Sequence, residues 1–178
     1  MKMGKRRIRQ GDIVDATADA IVFSSNEHLF LSGGAGASLL GLHGDPLQKA
    51  MHRALAITGK KVAQRGSVFE IEPAETWSSR LFAVVAADGF YETSKDDTRS
   101  ALERVLSCCA ELPEVKTVAT TALGTGYGNM EIEDFVEIFC GIEVPASIES
   151  FELVIHGDVF FRYACQRNER LANPAYVG

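Results

Sequence analysis

Short β-rich apolar runs alternate with stretches of helical periodicity along nearly the whole chain, and that alternation narrows the fold more than any other feature. The β-rich runs are Ile13-Val14, Asp19-Ala20-Ile21-Val22-Phe23, Gly66 to Ile71, Arg80 to Ala86, Lys116 to Thr121 and Phe151 to Ile155. Between them, Asp45-Pro46-Leu47 opens a helix in N-cap and N1 style, with Leu47, Ala50, Met51, Ala54 and Leu55 at helical spacing. Asp97-Thr98 opens a second, with Ala101, Leu102, Val105, Leu106 and Cys109 on one face and Pro113 after its end. Met130 to Phe139 and Val159 to Leu171 predict two more. Leu81 to Ala87 is apolar at consecutive positions, as in a strand covered on both faces, whereas Val68-Phe69-Glu70-Ile71-Glu72 alternates like a half-exposed one. The pattern predicts an α/β fold, a three-layer α/β/α sandwich around a mixed, mostly parallel sheet. A chain of 178 residues, 46% of them hydrophobic, can bury one substantial core. No repeat, low-complexity tract or long linker divides it, so residues 1–178 are expected to form a single domain.

A formal net charge of −6 repels a polyanion, which argues against non-specific nucleic-acid binding. The only basic run, Lys5-Arg6-Arg7, is not followed by the apolar stretch of roughly 7–15 residues that a signal peptide needs. No segment approaches membrane-spanning length, so a soluble cytoplasmic protein with no membrane partner is expected. The four cysteines, Cys108, Cys109, Cys140 and Cys165, lack C-x-x-C spacing and read as reduced core or near-core residues. His43 and His52 have no carboxylate or cysteine at metal-ligand spacing, so no metal site is expected.

Two glycine-rich segments follow strands and precede helical or apolar segments. Ser32-Gly33-Gly34-Ala35-Gly36-Ala37-Ser38 comes shortly after Ala20 to Ser24, and Ala122-Leu123-Gly124-Thr125-Gly126-Tyr127-Gly128 comes after Val118 to Thr121. An open α/β sheet places ligands beyond the carboxyl ends of its strands. There, backbone free of Cβ atoms approaches a ligand closely, and successive N–H groups point at an anion without help from Lys or Arg. A diphosphate suits such loops. A tight structural turn would use the same glycines, but two such junctions in one small domain favour a cleft. The dinucleotide fingerprint fails because Leu39 stands where its third glycine belongs, and Gly59-Lys60-Lys61 lacks the earlier glycine and the Ser/Thr of a P-loop.

These residues together resemble the macro domain family. Gly11-Asp12-Ile13-Val14 is similar to the family's Gly-Asp-Ile-Thr opening, and Asp19 to Asn26 to its Asp-Ala-Ile-Val-Asn-Ala-Ala-Asn. Ser32 to Ser38 falls on its first diphosphate loop, and Leu123 to Gly128 on its second, Ile-Ser-Thr-Gly-x-Tyr-Gly. The resemblance implies that the chain recognises free ADP-ribose, an ADP-ribose derivative or an ADP-ribosylated protein, with no cofactor. It implies that Asp12 accepts a hydrogen bond from the adenine amine, with Ile13 adding a backbone contact, and that Asn26 reaches the distal ribose. Gly34, Ala35, Gly36 and Ala37 would flank one side of the diphosphate, and Gly124, Thr125, Gly126 and Tyr127 the other, with Tyr127 also covering the distal ribose. His156 would stack on adenine, with Phe160 as the competing ring. Simpler readings stand beside these: Asp12 as a turn cap, Asn26 as an Asx-type loop anchor, and His28 and His156 as exposed polar residues.

Hydrolytic members of the family often carry an Asp in the first loop, where this chain has Gly36, and Phe23 replaces the first Asn of Asn-Ala-Ala-Asn. The resemblance therefore implies recognition first. The alternative is an ADP-ribosyl or O-acetyl-ADP-ribose hydrolase, or an ADP-ribose phosphate phosphatase, with Asn26 and His28, or Glu27, as the candidate catalytic groups. A third reading is a ligand-free interaction domain. Asp88-Gly89-Phe90 falls where a family loop lines the cleft.

Overall fold

Val22 and Phe23 are chain neighbours that point to opposite faces of one strand, and both are fully buried. The sheet holding them must therefore be covered on both sides. The computed structural model describes residues 4–72, 74 and 77–173. In chain order these form β1 (Lys5–Gln10), a 3-10 turn (Ile13–Asp15), β2 (Ala20–Ser25), α1 (Gly34–His43), α2 (Asp45–Ile57), β3 (Val68–Ile71) and β4 (Arg80–Val85). There follow α3 (Lys95–Ala110), β5 (Thr117–Thr121), α4 (Ile132–Gly141), β6 (Ser150–Ile155) and α5 (Asp158–Ala172). The strands lie in the order β1-β6-β5-β2-β4-β3. All neighbouring pairs are parallel except β3 against β4. The expected mixed, mostly parallel sheet between helical layers is thus the one observed.

One core packs Val22, Phe82, Val118 and Phe151 of the sheet against α3, α4 and Ala164 of α5. Within it Phe139 of α4 packs on Phe151 of β6, ring centroids 4.7 Å apart. The other face places Phe23, Leu81, Val85 and Ala119 against Leu39 of α1 and Leu47, Met51 and Leu55 of α2. At the amino ends of the strands, Asp19 ties β2 to β5. Its Oδ2 accepts hydrogen bonds from Lys116 N at 2.9 Å, Thr117 N at 2.8 Å and Thr117 Oγ1 at 2.9 Å. Burial alone pushes this carboxyl up, but the hydrogen bonds outweigh it and hold Asp19 below the usual aspartate value.

Several local expectations change. Lys5-Arg6-Arg7, given no element in the sequence, starts edge strand β1. Arg6 donates to the carbonyls of Phe139 and Ile142, satisfying the end of α4, and Arg9 pairs with Glu152 at 3.1 Å. Ile13-Val14 forms a 3-10 turn rather than a strand, because the Asp12 side chain accepts the Val14 N–H at 3.2 Å and caps it. The Gly-rich stretch does not stay a loop: α1 begins inside it at Gly34. Gly44, at φ 68°, separates α1 from α2, which starts at Asp45 with Pro46 in its first turn. Ser94, not Asp97, caps α3, accepting the Asp97 N–H at 3.2 Å. Cys109 is buried and Cys108 exposed, so only part of the expected core placement of the cysteines holds.

Candidate functional site

The parallel register brings the carboxyl ends of β1, β6, β5, β2 and β4 to one edge of the sheet. Gly11 and Asp12 leave β1 there, His156 leaves β6, the Ala122–Gly128 segment leaves β5, Asn26 leaves β2 and Asp88 follows β4. Gly11 N donates to Ile155 O at 3.0 Å, which holds the β1 and β6 exits side by side.

The first glycine segment is the amino end of a helix. Gly33 caps α1 at φ 55° and Gly34 opens it at φ 47°, values that an L side chain rarely adopts. The N–H groups of Gly34, Ala35 and Gly36 have no acceptor among the described residues, whereas Ala37 N donates to Gly33 O at 3.2 Å. Three donors and the positive end of the helix dipole therefore face the cleft, and Ala37 is not one of them. Gly36 is buried, and a Cβ there would stand 3.4 Å from Leu31 Cα. Leu31 backbone thus lies at contact distance from this position.

In the second glycine segment, Gly124 N donates to Ser24 Oγ at 3.2 Å, and Thr125 N and Oγ1 both donate to Ala122 O, at 3.3 and 2.8 Å. These two residues shape the loop with their N–H groups engaged. The N–H groups of Gly126 and Tyr127 have no acceptor among the described residues. The Tyr127 ring, 67% exposed, lies over Gly33 and so brings the two glycine segments into contact. Asn129 couples this loop to the one after β4, accepting from Thr93 N at 2.9 Å and Thr93 Oγ1 at 2.6 Å.

Asp12 is half-buried, and its second oxygen accepts from Ser38 Oγ of α1 at 2.7 Å. Its carboxylate still has acceptor lone pairs to offer. Ile13 is a core residue by its side chain. Asn26 anchors its own loop: Oδ1 accepts from His28 N at 3.0 Å and Phe30 N at 3.1 Å, and Nδ2 donates to Phe30 O at 3.1 Å. One N–H of its amide remains. Buried Leu29 holds φ 56° in this loop, fixed by Gln48, whose Nε2 donates to Leu29 O at 2.9 Å and whose Oε1 accepts from Leu31 N at 2.8 Å. Gln48 Nε2 also lies 3.0 Å from His52 Nε2, so that imidazole nitrogen is the acceptor. His28 Nε2 sits 3.6 Å from Glu27 Oε1.

His156 is exposed, and Phe160, on the first turn of α5, is 52% exposed. Both residues follow the β6 exit, which Gly11 N joins to the end of β1. Asp88 accepts from Phe90 N and Glu92 N and pairs with Arg65 at 3.1 Å, fixing the loop after β4. His43 packs on Trp77, 5.2 Å between ring centroids, and burial pushes its pKa down. Among the described residues no three His, Cys, Asp or Glu side chains gather as a metal would require. Gln48 escapes the sequence reading, and Ser24 and Ser38 lie in its segments with no role of their own, since each acts through a partner distant along the chain. Two concavities, of about 210 and 260 Å³, fall outside the glycine loops.

No protein-family model matches the chain, and no curated protein matches its sequence. Solved structures do match its shape. The Oceanobacillus iheyensis macrodomain with ADP superposes with a TM-score of 0.80 at 15% identity, covering 94% of this chain and 91% of that one. The Trypanosoma brucei macrodomain in complex with ADP-ribose gives 0.72 at 14% identity, covering 94% of this chain and 69% of that one. The macrodomain of Thermus aquaticus DarG gives 0.65 at 16% identity, covering 87% and 99%.

Proposed function

We propose, from the macrodomain fold that this chain has, that it binds ADP-ribose or a group carrying it across the carboxyl edge of its sheet. The observation that carries this reading is the pair of facing donor sets: the N–H groups of Gly34, Ala35 and Gly36 at the start of α1, and those of Gly126 and Tyr127 opposite. Backbone donors at a helix amino end suit a diphosphate without a basic side chain. Similarity to structures holding ADP and ADP-ribose supports the choice of ligand. Asp12, held by Val14 N and Ser38 Oγ, is oriented to accept from the adenine amine, and His156 or Phe160 would stack on the ring. The remaining N–H of Asn26 would serve the distal ribose. Tyr127 must leave Gly33 for the diphosphate to enter, after which its ring can cover the ribose. Calorimetry with ADP-ribose tests the reading: binding is expected, and Asp12→Ala is expected to weaken it about tenfold, the loss of one hydrogen bond to a charged acceptor. Unchanged affinity in that variant would remove the adenine assignment.

Hydrolysis is a second reading, favoured by the Glu27–His28 pair next to Asn26. A carboxylate beside an imidazole is a means of orienting a general base. This reading predicts release of ADP-ribose from a modified protein or ester, lost in both His28→Ala and Asn26→Ala. Absence of release under single-turnover conditions leaves recognition alone.

A further inference from the structure

Beside the loop that follows β4, a polar concavity of about 210 Å³ opens between the face of α3 and the turn leading into β3. Gln64, Arg65 and Ser67 line it from the turn, and Asp97, Ser100 and Arg104 from the helix. The three α3 residues are spaced so that they share one helix face. Gly66 forms its floor at φ 82°, and a Cβ there would stand 3.2 Å from Asp97 Cβ. Close approach of the two walls therefore depends on that glycine.

Arg65 is held in place by carboxylates: Nε donates to Asp97 at 2.8 Å and Nη1 to Asp88 at 3.1 Å. Its Nη2 makes no hydrogen bond among the described residues. Arg104 has neither an ion-pair partner nor a hydrogen-bond acceptor among them, and the same holds for the Ser67 and Ser100 hydroxyls and the Gln64 amide. A polar hollow thus carries one guanidinium offset by Asp97, Asp88 and nearby Glu92, one guanidinium with no ion-pair partner among the described residues, and several donor-bearing residues on its two walls.

We propose that this concavity binds a phosphate monoester, with the Arg104 guanidinium as its principal anchor. A tetrahedral oxyanion accepts from several directions at once, as this donor set requires, and guanidinium–phosphate hydrogen bonds are among the stronger polar contacts. Asp97 repels an anion from the Arg65 side, so the phosphate sits toward Arg104 and Ser100. The site is separate from the glycine loops and does not depend on ADP-ribose binding.

The test uses the full chain and inorganic phosphate, followed through the NMR resonances of the arginine Nε–H groups. Saturable shifts at Arg104 and Arg65 are expected, with at least about tenfold weaker binding in Arg104→Gln and in Ser100→Ala/Arg104→Gln. Arg104 is exposed and unpaired among the described residues, so its replacement leaves the fold intact. Gly126→Glu, placed in the other cleft, is expected to leave phosphate binding here unchanged. A phosphoserine peptide and glycerol phosphate, compared in the same assay, separate a protein source of the phosphate from a small-molecule one. No saturation, affinity unchanged in Arg104→Gln, or loss in Gly126→Glu would each overturn the proposal.

Discussion

Gly126→Glu asks whether the two glycine segments hold a diphosphate between them. Gly126 is exposed, and a Cβ built on it meets no atom within 4 Å, so a larger residue enters without disturbing the ligand-free fold. In the proposed site the new carboxylate would stand on the loop whose Gly126 and Tyr127 N–H groups have no acceptor among the described residues. At about 5 Å and an effective dielectric near 20, one unit-charge pair costs roughly 3 kcal/mol. Exposure of the site, and a Debye length of about 8 Å at physiological salt, bring the sum over both phosphates to about 1.5–3 kcal/mol. That corresponds to about 10- to 100-fold weaker ADP-ribose binding by calorimetry. Gly126→Gln keeps the volume and drops the charge, so its defect should be smaller. The Glu defect should also shrink as salt rises, while thermal unfolding without ligand stays near that of the parent. Affinity within about twofold of the parent at low salt would refute the assignment of this loop to the diphosphate.

Acid titration of stability tests the Asp19 latch. Because its folded-state carboxyl lies below the ordinary 3.8, its contribution is full above about pH 5 and is lost as pH falls through the folded value. Asp19→Asn should cost about 1–2 kcal/mol at neutral pH in urea unfolding and flatten that acid dependence; an unchanged acid limb would remove the latch. Phe139→Ala, which opens a cavity beside Phe151, should cost about 3–5 kcal/mol in the same assay. Gly128→Ala drives a Cβ into the Gly124 carbonyl and the Thr93 methyl, and should weaken ADP-ribose binding more than it lowers the melting temperature. The Cys109 thiol is pushed up to about 12 by burial and should resist alkylation at about pH 8 while exposed Cys108 reacts, as peptide mass spectrometry would show.

What the sequence makes legible follows from the range over which each interaction acts. The β4 run is continuously apolar and the faces of α2 and α3 repeat over many residues, so layers and sheet type can be read from local pattern alone. Strand β1 is missed because four of its six residues are basic. An edge strand tolerates that when Arg6 finds the end of α4 and Arg9 finds Glu152, partners more than 130 positions away in the chain. Helix α1 is missed for the opposite reason: glycine and alanine are the marks of a loop, and the core packing of Leu39 and the Ser38–Asp12 bond stabilise the helix through distant partners. The glycine segments themselves are visible, but the division of labour inside them is not. Whether an N–H faces the cleft or is engaged by Ser24 or Ala122 depends on atoms that no local pattern encodes.

The same physics explains how a fold can be matched at 15% identity when no family model matches the sequence. A cleft built from backbone N–H groups constrains side chains only where a Cβ would collide or φ is positive, as at Gly33, Gly124 and Gly128. Elsewhere the donors are indifferent to what the residue carries, so Ala35 can stand in the first segment and Tyr127 in the second. Chemistry is more demanding than recognition in this respect, because a base or nucleophile must be one particular side chain at one particular place. Gly36 holds no such side chain: the residue is buried, a Cβ there would be in ordinary contact with Leu31, and an acid introduced there must lose its hydration. Gly36→Asp is therefore expected to lower the melting temperature without conferring first-loop hydrolysis. Stable, hydrolytically active Gly36→Asp protein would mean that the loop is more yielding than its packing indicates.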